Sequence, residues 1–395
     1  MVARAAPWLL LSPSMAPVPA FPAPPRFALV MGGGGLRGLA HVGALQELQS
    51  RGWVPAEIAG VSIGALVASA WAAGYSMDEL ESIALSLRRR DIFQIAHTDM
   101  ALKRMRSPSL YRAEPLDHLV HGLLGEVTFA ELPRRLVVGA VEINSGMQIY
   151  WGTPGLDHGR GADAVLASMS LPGFFPPREI EGRWWVDAAV VDNLPVRLAG
   201  SRGHDMVVAV DVGATSVLRS DTQEQGFASL FARATEIVFH QTMESHLATW
   251  SRPPLMLVQP RVEHIPMFSF DHTRELINEG RRATAAAMEQ AAPDLAHAAE
   301  GIFPRRRIQL RVLRERCIGC GNCVALAPPG LFHMDHEGKA VATEQACLWS
   351  PLDGGFIRHC PTYAITAHPV PAALPAAEAG FSTDGGSRGT APASA

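Results

Sequence analysis

The sequence predicts an α/β fold built around a mainly parallel sheet, and three observations support this fold class. A strand-like apolar run that passes through glycines into a helix-like segment occurs twice near the start of the chain, in 27–48 and again around Gly60. Strand and helix patterns then alternate through much of the remaining sequence. With 395 residues, 48% hydrophobic and 18% charged, the chain can bury a large core. Such alternation is typical of a parallel sheet covered by helices.

Each predicted element has a local reason. Phe27–Met31 is a continuous apolar run and is predicted to be a strand, and the apolar spacing of Leu39–Leu48 predicts the helix that follows. A second strand ends near Ala59, turns through Gly60–Gly64 and enters an Ala/Leu-rich helix that Gly74 can terminate. Downstream we predict strands at Leu136–Val141, Trp184–Val186 and Met206–Asp211, and helices at Pro115–Leu124, Gly226–Leu247 and Thr273–Glu289.

Composition divides the chain into segments. Residues 1–26 are Pro-rich, which interrupts the helix of a signal peptide, and we expect them to be disordered. We then expect an α/β domain over 27–290, a linker over 291–307 and a small cysteine-containing domain over 308–366. The Ala/Pro/Gly/Ser-rich residues 367–395 are typical of a disordered tail. Because the chain has no uncharged apolar run of about eighteen residues, no transmembrane helix is expected.

Charge and cysteine content narrow the class of partner and the compartment. Lys and Arg number 34 against 38 Asp and Glu, so a net charge of -4 gives no overall field that attracts nucleic acid or an anionic membrane. We therefore expect no nucleic-acid partner and only local lipid contact. Four of the five cysteines lie in one cluster after residue 316, which indicates a metal site in a reducing compartment. A cytoplasmic protein with peripheral membrane contact fits these features.

The segment Gly60–Gly64 reads Gly-Val-Ser-Ile-Gly and fits the G-x-S-x-G nucleophile elbow. In that motif a sharp turn from strand to helix lifts the serine hydroxyl out of the backbone, and the two glycine positions leave no room for side chains. A strand-to-helix turn with a capping serine would give the same pentapeptide. Ser62 is thus a candidate nucleophile whose interpretation depends on its neighbours.

A glycine-rich loop lies just upstream, where Gly33–Gly38 reads Gly-Gly-Gly-Leu-Arg-Gly. Its backbone N–H groups can converge on the oxyanion that forms when Ser62 attacks an ester carbonyl, with Arg37 bracing the loop. The same residues spell G-x-G-x-x-G, the pattern of a dinucleotide site. That site requires an acidic residue at the end of the next strand, whereas the nearby acid, Glu57, precedes the second strand. The dinucleotide interpretation is therefore disfavoured.

Two further segments complete a pattern that resembles the patatin-like phospholipase family. The two glycine motifs are followed by a Ser-rich Pro-Gly-Phe-Phe-Pro segment in 167–177 and by a Trp-Trp-Val-Asp-Ala-Ala segment in 184–195. The resemblance covers roughly 27–289 and implies a three-layer fold and a lipid acyl hydrolase, phospholipase or esterase, with a Ser/Asp dyad. It assigns Ser62 as nucleophile, Asp187 as base, Gly60 and Gly64 as elbow glycines, and Gly33, Gly34, Gly35 and Arg37 as the oxyanion hole.

The role that the resemblance gives Asp187 is chemically coherent. A carboxylate desolvated behind an apolar strand has a raised proton affinity and can take a serine hydroxyl proton without a histidine. Without the family pattern, Asp187 would be interpreted as a turn carboxylate that caps backbone N–H groups. The family usually has glycine after this aspartate, and here the residue is Ala188. If that position requires a positive φ, alanine would strain the loop by on the order of 1 kcal/mol and reduce activity.

A Ser-Asp-His triad of the α/β-hydrolase kind is the alternative within hydrolases. In that fold the oxyanion loop usually lies further upstream of the elbow than it does here, and the downstream histidines lie in no recognisable motif. His41, in the first helix, is expected to be a packed residue and not a catalytic one. The histidines placed late enough in the chain for a triad are His204, His240, His246 and His264.

The cysteine cluster begins with Cys317, Cys320 and Cys323, three thiolates at a spacing of three residues, and Cys360 precedes a proline. This pattern resembles the bacterial single-cluster ferredoxins over roughly 308–366, which implies a small α+β domain and one [4Fe-4S] cluster held by these four cysteines. Zinc is the alternative, but zinc sites usually use two separated cysteine pairs. Cys347 falls outside the pattern and is expected to be a spare thiol.

Ester hydrolysis requires no electrons, so the sequence gives no chemical reason for the two modules to share a chain. The cluster can regulate the hydrolase, exchange electrons with a redox partner protein, or stabilise its own domain. We expect a lipid or acyl ester as substrate. The alternative function is a lipid-associated electron-transfer protein whose patatin-like domain binds acyl chains without efficient turnover.

Overall fold

The computed structural model describes residues 25–96, 109–213, 226–295, 297–343 and 345–370. The described chain falls into two compact units that divide between Arg305 and Arg306, with Ser350–Leu352 assigned to the first unit. The predicted disorder of the two chain ends concerns mainly 1–24 and 371–395, which lie outside the described residues.

A single large sheet forms the centre of the first unit. Its strands are β1 (Phe27–Met31), β2 (Glu57–Gly60), β3 (Leu136–Glu142), β4 (Gln148–Trp151), β5 (Arg178–Ile180), β6 (Arg183–Asp187), β7 (Met206–Val210), β8 (Leu255–Val258) and β9 (Ile302–Phe303). The order is β5-β6-β3-β2-β1-β7-β8-β9, with β4 also paired to β3. The run from β3 to β9 is parallel, whereas β4, β5 and β6 are antiparallel to their neighbours.

Helices cover both faces of this sheet. They are α1 (Ala40–Ser50), α2 (Ile63–Ala72), α3 (Met77–Ser86), α4 (Glu114–Leu124), α5 (Gly161–Ser168), α6 (Val196–Gly200), α7 (Gly226–Ala248) and α8 (Thr273–Leu295). Alternate residues of β1 enter different cores: Phe27 and Leu29 pack with α1, α2 and α8, whereas Ala28 packs with Met243 and Leu247 of α7. Because β1 is buried on both faces, it reads as a continuous apolar run. The predicted three-layer α/β fold is confirmed.

The segment predicted to be a linker, 291–307, contains regular structure. Helix α8 continues to Leu295, beyond the predicted end at Glu289, and β9 adds a parallel strand to β8, with Leu255 paired to Ile302. Both residues of β9 are buried, because their apolar side chains complete the edge of the sheet. The linker prediction was therefore wrong for this part of the segment.

The second unit is small and antiparallel. Its elements are β10 (Arg306–Val312), α9 (Asn322–Leu326), β11 (Phe332–Met334), β12 (Ala340–Ala342), β13 (Cys347–Trp349) and β14 (Ile365–Pro369). Strands β13, β10 and β14 form one sheet, and β11 pairs with β12. Strand β14 continues beyond the predicted domain end at Thr366, because Ala367, His368 and Pro369 pair with β10.

No described helix combines the length and the apolar character that a membrane span requires.

Candidate functional site

Ser62 occupies a strained turn between β2 and α2. Its backbone has φ 55 and ψ -128, a conformation that non-glycine residues rarely adopt. The flanking glycines are required by close packing, because a Cβ at Gly60 would lie 2.6 Å from the backbone of Ala65 and one at Gly64 would overlap the carbonyl oxygen of Met31. The backbone therefore has the geometry of a nucleophile elbow.

Asp187 lies on the other side of β3 from Ser62. Gly60 of β2 pairs with Val138, and Asp187 at the end of β6 pairs with Ala140 of the same central strand. The carboxyl group is 1% exposed and accepts a 2.9 Å hydrogen bond at Oδ1 from the Ala189 N–H. The Ser62 hydroxyl is close enough to this carboxyl group to lower its pKa. The fold thus brings the predicted nucleophile and the predicted base together.

Burial determines the proton affinity of Asp187. Desolvation raises the pKa of this carboxyl group to about 7, and the hydrogen bonds from the Ala189 N–H and the Ser62 hydroxyl offset part of the rise. A carboxylate with such a pKa is partly ionised near neutral pH and is basic enough to accept a proton from a hydroxyl. The arrangement can therefore support general-base chemistry without an imidazole.

The position after the aspartate does not require glycine. Ala188 begins a 3-10 turn, and the described non-glycine residues with positive φ are Ser62, Glu181 and Tyr363. The Ala188 methyl group is buried opposite Gly139, where a Cβ would lie 3.3 Å from it. Alanine at this position therefore causes no loop strain. Because Gly139 of β3 has no side chain, there is room for the Ala188 methyl group.

The structure corrects the oxyanion prediction for Gly33. Its N–H donates to the side-chain Oδ1 of Asn193 at 3.1 Å and to the carbonyl oxygen of Asn193 at 3.3 Å, so this donor is already engaged. The N–H groups of Gly34 and Gly35 find no acceptor within the described part of the chain. The Ile63 N–H lies in the first turn of α2, where helices have no internal acceptor. Within the described residues, these three N–H groups are thus left without an acceptor near the elbow and the glycine loop.

Arg37 braces the loop from behind. Its guanidinium donates from Nε to the Ile265 carbonyl at 2.6 Å and from Nη1 to Glu236 of α7 at 3.2 Å. The side chain is buried, and both contacts direct it to other segments of the first unit. These contacts connect the glycine loop to Ile265 and to α7, and the described contacts of Arg37 do not reach Ser62.

Three residues around the loop were not assigned a function from the sequence. The Ser62 N–H donates to Ser168 Oγ at 2.9 Å, His41 Nε2 bonds the Gly32 carbonyl at 2.8 Å, and Asn193 bonds Gly33. Ser168 lies in the 167–177 segment of the sequence pattern, and Asn193 lies in the 184–195 segment. Their positions in these segments are the sequence signal that could have identified them as site residues. His41 is fully buried, as expected for a packed residue.

The acids and histidines of the alternative sites lie elsewhere. Glu57 is the first residue of β2 and is buried against Arg202, so it is at the wrong end of the strand for a ribose contact. Within the described chain, no histidine is a hydrogen-bond partner of Ser62 or Asp187. The triad candidates instead face other acids: His204 with Glu57, His240 with Glu244, His246 with Asp192 and His264 with Glu275.

In the second unit, the four predicted cluster ligands line one cavity. The Ala340 N–H donates to the sulfur of Cys317 at 3.4 Å, and the Ala364 N–H donates to that of Cys360 at 3.3 Å. Cys347 lies in β13 and is not among the residues that line this cavity. The cavity therefore collects Cys317, Cys320, Cys323 and Cys360.

The donor set of this cavity distinguishes between a single zinc ion and an iron-sulfur cluster. In the described chain, no three His, Cys, Asp or Glu side chains converge closely enough to hold a single ion. Tetrahedral zinc requires its thiolates to lie about 3.8 Å from one another, whereas a four-iron cluster holds them at separate corners. An all-thiolate set with N–H donors directed at two sulfurs fits an iron-sulfur cluster.

Comparisons with known proteins give one family match in each of the two units. Residues 29–199 match the family model described as patatin-like phospholipase, and residues 311–348 match a 4Fe-4S single cluster domain. The second match contains Cys317, Cys320 and Cys323, and Cys360 lies beyond it.

Several proteins are similar to this chain. An uncharacterized NTE family protein of Mycobacterium tuberculosis is 32% identical over 191 residues, which is 48% of this chain and 50% of the relative. Lysophospholipase NTE1 of Scheffersomyces stipitis is 29% identical over 245 residues, 60% of this chain and 14% of that protein. The chain spans half or less of the length of these relatives.

Solved structures that are similar to this chain include VipD from Legionella pneumophila. It has a TM-score of 0.39 and 15% identity, and the match covers 67% of this chain and 66% of VipD. Human GIVD cytosolic phospholipase A2 has a TM-score of 0.38, 14% identity and coverage of 69% and 59%. The elbow at Ser62 and the order of the sequence motifs agree with the match of residues 29–199 to the patatin-like phospholipase model.

Proposed function

We propose that the first unit is a lipid acyl hydrolase in which Ser62 is the nucleophile and Asp187 the general base. The observation that carries this proposal is the position of the Ser62 hydroxyl beside a fully buried carboxyl group whose pKa is about 7. A serine hydroxyl is a weak nucleophile until a neighbouring base accepts its proton. Asp187 is the titratable group beside Ser62 that can do so.

The proposed reaction has two halves. Ser62 Oγ forms a bond to the acyl carbon while its proton moves to Asp187, and the negative charge develops on the former carbonyl oxygen. The C–O bond to the alcohol then breaks, and the alcohol leaves with the proton from Asp187. Water attacks the acyl-serine in the same way and releases the carboxylic acid. The N–H groups of Gly34, Gly35 and Ile63 are the proposed donors to the oxyanion.

The glycine loop is apolar on the side of Gly35, whereas the pocket beside Gly33 and Gly34 is also lined by Arg37, Asp211 and Glu236. Gly35 packs directly against Met267 and Phe268, since a Cβ on Gly35 would collide with Met267. The Phe268 ring lies 5.3 Å from that of Phe174 and 5.1 Å from that of Phe93. An apolar wall of this kind suits a hydrocarbon chain. The match to the patatin-like phospholipase model supports a lipid carboxylic ester as substrate.

For the second unit we propose a [4Fe-4S] cluster held by Cys317, Cys320, Cys323 and Cys360. When bound, such a cluster can accept and donate one electron. Cys317 and Cys323 are buried within the apolar core of this small unit, and Cys360 packs against it. Since the ligands are part of the core, we assign the cluster a role in folding of the second unit, where ligand binding supplies stability that a small core lacks.

The proposed activity is tested by turnover of p-nitrophenyl acyl esters and of phospholipid by the full chain. We expect activity in the wild type and none above background in Ser62→Ala. Ser69→Ala is a matched control, because the buried Ser69 hydroxyl donates to the Leu66 carbonyl of its own helix at 2.8 Å and to no other group among the described residues. Wild-type turnover that survives in Ser62→Ala would exclude Ser62, and no turnover at all would favour the acyl-binding alternative.

A further inference from the structure

We infer that His41 and Asn193 are positioning residues that fix two successive peptide groups of the glycine loop and so direct the Gly34 N–H at the acyl oxygen of the substrate. The inference rests on the proposed hydrolase function. His41 and Asn193 contact neither the ester nor the reacting atoms, and they affect the reaction through the backbone of the glycine loop.

His41 fixes the first peptide group from the side of its carbonyl. The Gly32 carbonyl oxygen accepts a 2.8 Å hydrogen bond from His41 Nε2, and the histidine is 0% exposed. Burial lowers the pKa of His41 to about 4, so the ring is neutral and its proton resides on the nitrogen that faces the carbonyl. The same carbonyl lies against the elbow, because a Cβ on Gly64 would come within 2.7 Å of the Gly32 oxygen. The contact therefore connects α1, the glycine loop and the elbow.

Asn193 fixes the same peptide group from the other side and also the next one. Its Oδ1 accepts from the Gly33 N–H at 3.1 Å, and its Nδ2 donates to the Gly33 carbonyl at 3.2 Å. The Gly32–Gly33 peptide group is thus held at its oxygen by His41 and at its N–H by Asn193. Asn193 is 6% exposed, so water does not compete freely for these bonds.

The direction of the Gly34 N–H follows from peptide geometry. The Gly33 carbonyl and the Gly34 N–H belong to one planar trans peptide group, so they point in opposite directions. Because Asn193 Nδ2 holds the Gly33 carbonyl, the Gly34 N–H points away from Asn193. Gly33 itself lies against Ser62, since a Cβ on Gly33 would be 3.0 Å from the Ser62 Cβ. The Gly34 N–H is therefore held in one orientation, next to a glycine that lies against the nucleophile.

Such fixation matters because consecutive glycines are the most flexible backbone that a chain can have. A donor that is already oriented needs no reorganisation when the oxyanion forms, and that preorganisation is the source of its effect on the rate. A misplacement of about 1 Å can cost a factor of about 100 in rate. The side-chain amide of Asn193 and the ring N–H of His41 replace the restraint that side chains on the loop would otherwise supply.

The test compares His41→Leu, His41→Gln and Asn193→Leu with the wild type on a p-nitrophenyl acyl ester, over a range of pH. His204→Leu is the matched control, because His204 is another buried histidine, its ion-pair partner is Glu57, and it lies outside the site. We expect His41→Leu and Asn193→Leu to lose about 10- to 100-fold in kcat with KM changed less than about twofold. His41→Gln, which keeps an N–H donor at a similar reach, should recover most of the loss.

A merely structural role would disturb the dyad as well, so the inflection of the pH profile is the second readout. It should stay near pH 7 in every variant, because none of them changes the surroundings of the Asp187 carboxyl group. The inference is overturned if both leucine variants keep wild-type kcat, if KM rises instead of kcat falling, or if His41→Gln is as slow as His41→Leu. Wild-type protein without Ser62-dependent turnover would instead overturn the proposed function, and the inference with it.

Discussion

The hydroxyl of Ser62 lies beside the carboxyl group of Asp187, although the two residues come from strands on opposite sides of β3. Ser62 stands in a strained turn at the end of β2, and Asp187 is the fully buried last residue of β6. A buried carboxylate with a single hydroxyl neighbour and one backbone donor has a raised proton affinity. This relationship determines how activity and stability should depend on pH.

Turnover should rise as the pH passes through about 7 and reach a plateau above pH 8. Asp187 must be ionised to accept the serine proton, and burial raises its pKa to about 7. Below that value, kcat/KM should fall about tenfold per pH unit. The measurement is the pH profile of kcat/KM between pH 5 and 9, with preincubation at each pH to exclude inactivation. A profile that is flat from pH 5.5 to 8 would show that a group with an ordinary carboxyl pKa, or none, is the base.

Asp187→Asn should be more stable than the wild type at pH 8, although we expect its turnover to be strongly reduced. The folded-state pKa of about 7 lies above the ordinary value of 3.8, so the folded protein binds a proton between these pH values that the unfolded chain releases. Above pH 7 the buried charge costs the fold as much as about 4 kcal/mol, and below pH 4 the cost disappears. Asparagine keeps the acceptor for the Ala189 N–H without the charge.

Thermal unfolding of the two proteins at pH 4, 6 and 8 checks this linkage. The difference in melting temperature should be small at pH 4 and should grow toward pH 8, with Asn the more stable residue. A constant difference across this range would mean that the pKa of Asp187 is not raised by folding.

Ala188→Gly should change turnover by less than about twofold. The position lies in a 3-10 turn without positive φ, so glycine offers no relief of strain. The added freedom of the unfolded chain should cost roughly 0.5–1 kcal/mol of stability. Gly139→Ala is the informative counterpart, because its methyl group would lie 3.3 Å from that of Ala188 and would press on the Asp187 turn. A large gain in turnover with Ala188→Gly would contradict the structure.

Cys360→Ser should lose most of the iron, and Cys347→Ser should keep it. Cys360 lines the same cavity as Cys317, Cys320 and Cys323, whereas Cys347 is not among the residues that line it. Anaerobically purified wild type should be brown and contain about four irons per chain. Iron and sulfide analysis with thermal unfolding before and after iron removal is the measurement, and loss of iron should lower the melting temperature of the second unit. Stoichiometric zinc without iron would contradict the assignment.

Local patterns in the sequence predicted the elements that carry the site. The G-x-S-x-G segment and the glycine loop became the elbow and the turn beside it, because glycine positions there are required by backbone contacts that only short residues allow. The short strands β5 and β9 and the helix α6 escaped prediction, since two to five residues carry too little periodicity. Strand β9 in addition depends on a partner that is distant in the chain, because it pairs with β8.

The hydrogen bonds of the glycine loop could not be predicted from the sequence, because they depend on tertiary contacts. Gly33 has the residue type expected of an oxyanion donor, but its N–H donates to Asn193, which lies far along the chain. The contact of His41 with Gly32 is similarly a tertiary feature, although the two residues are close in sequence. The tolerance of Ala188 depends on Gly139 of the neighbouring strand. Sequence patterns identified the residues of the candidate site. The pairing of β2 and β6 with β3 determines which of these residues lie together.

The most direct measurement is the site and rate of covalent labelling by a long-chain alkyl fluorophosphonate, followed by peptide mass mapping. The phosphorus atom reacts with an activated serine and loses fluoride, so the adduct marks the nucleophile. We predict one adduct, on the peptide that contains Ser62, absent from Ser62→Ala and formed about 10² to 10⁴ times more slowly in Asp187→Asn. An adduct on another residue, or labelling of Asp187→Asn at the wild-type rate, would contradict the proposal that Ser62 and Asp187 act as a dyad.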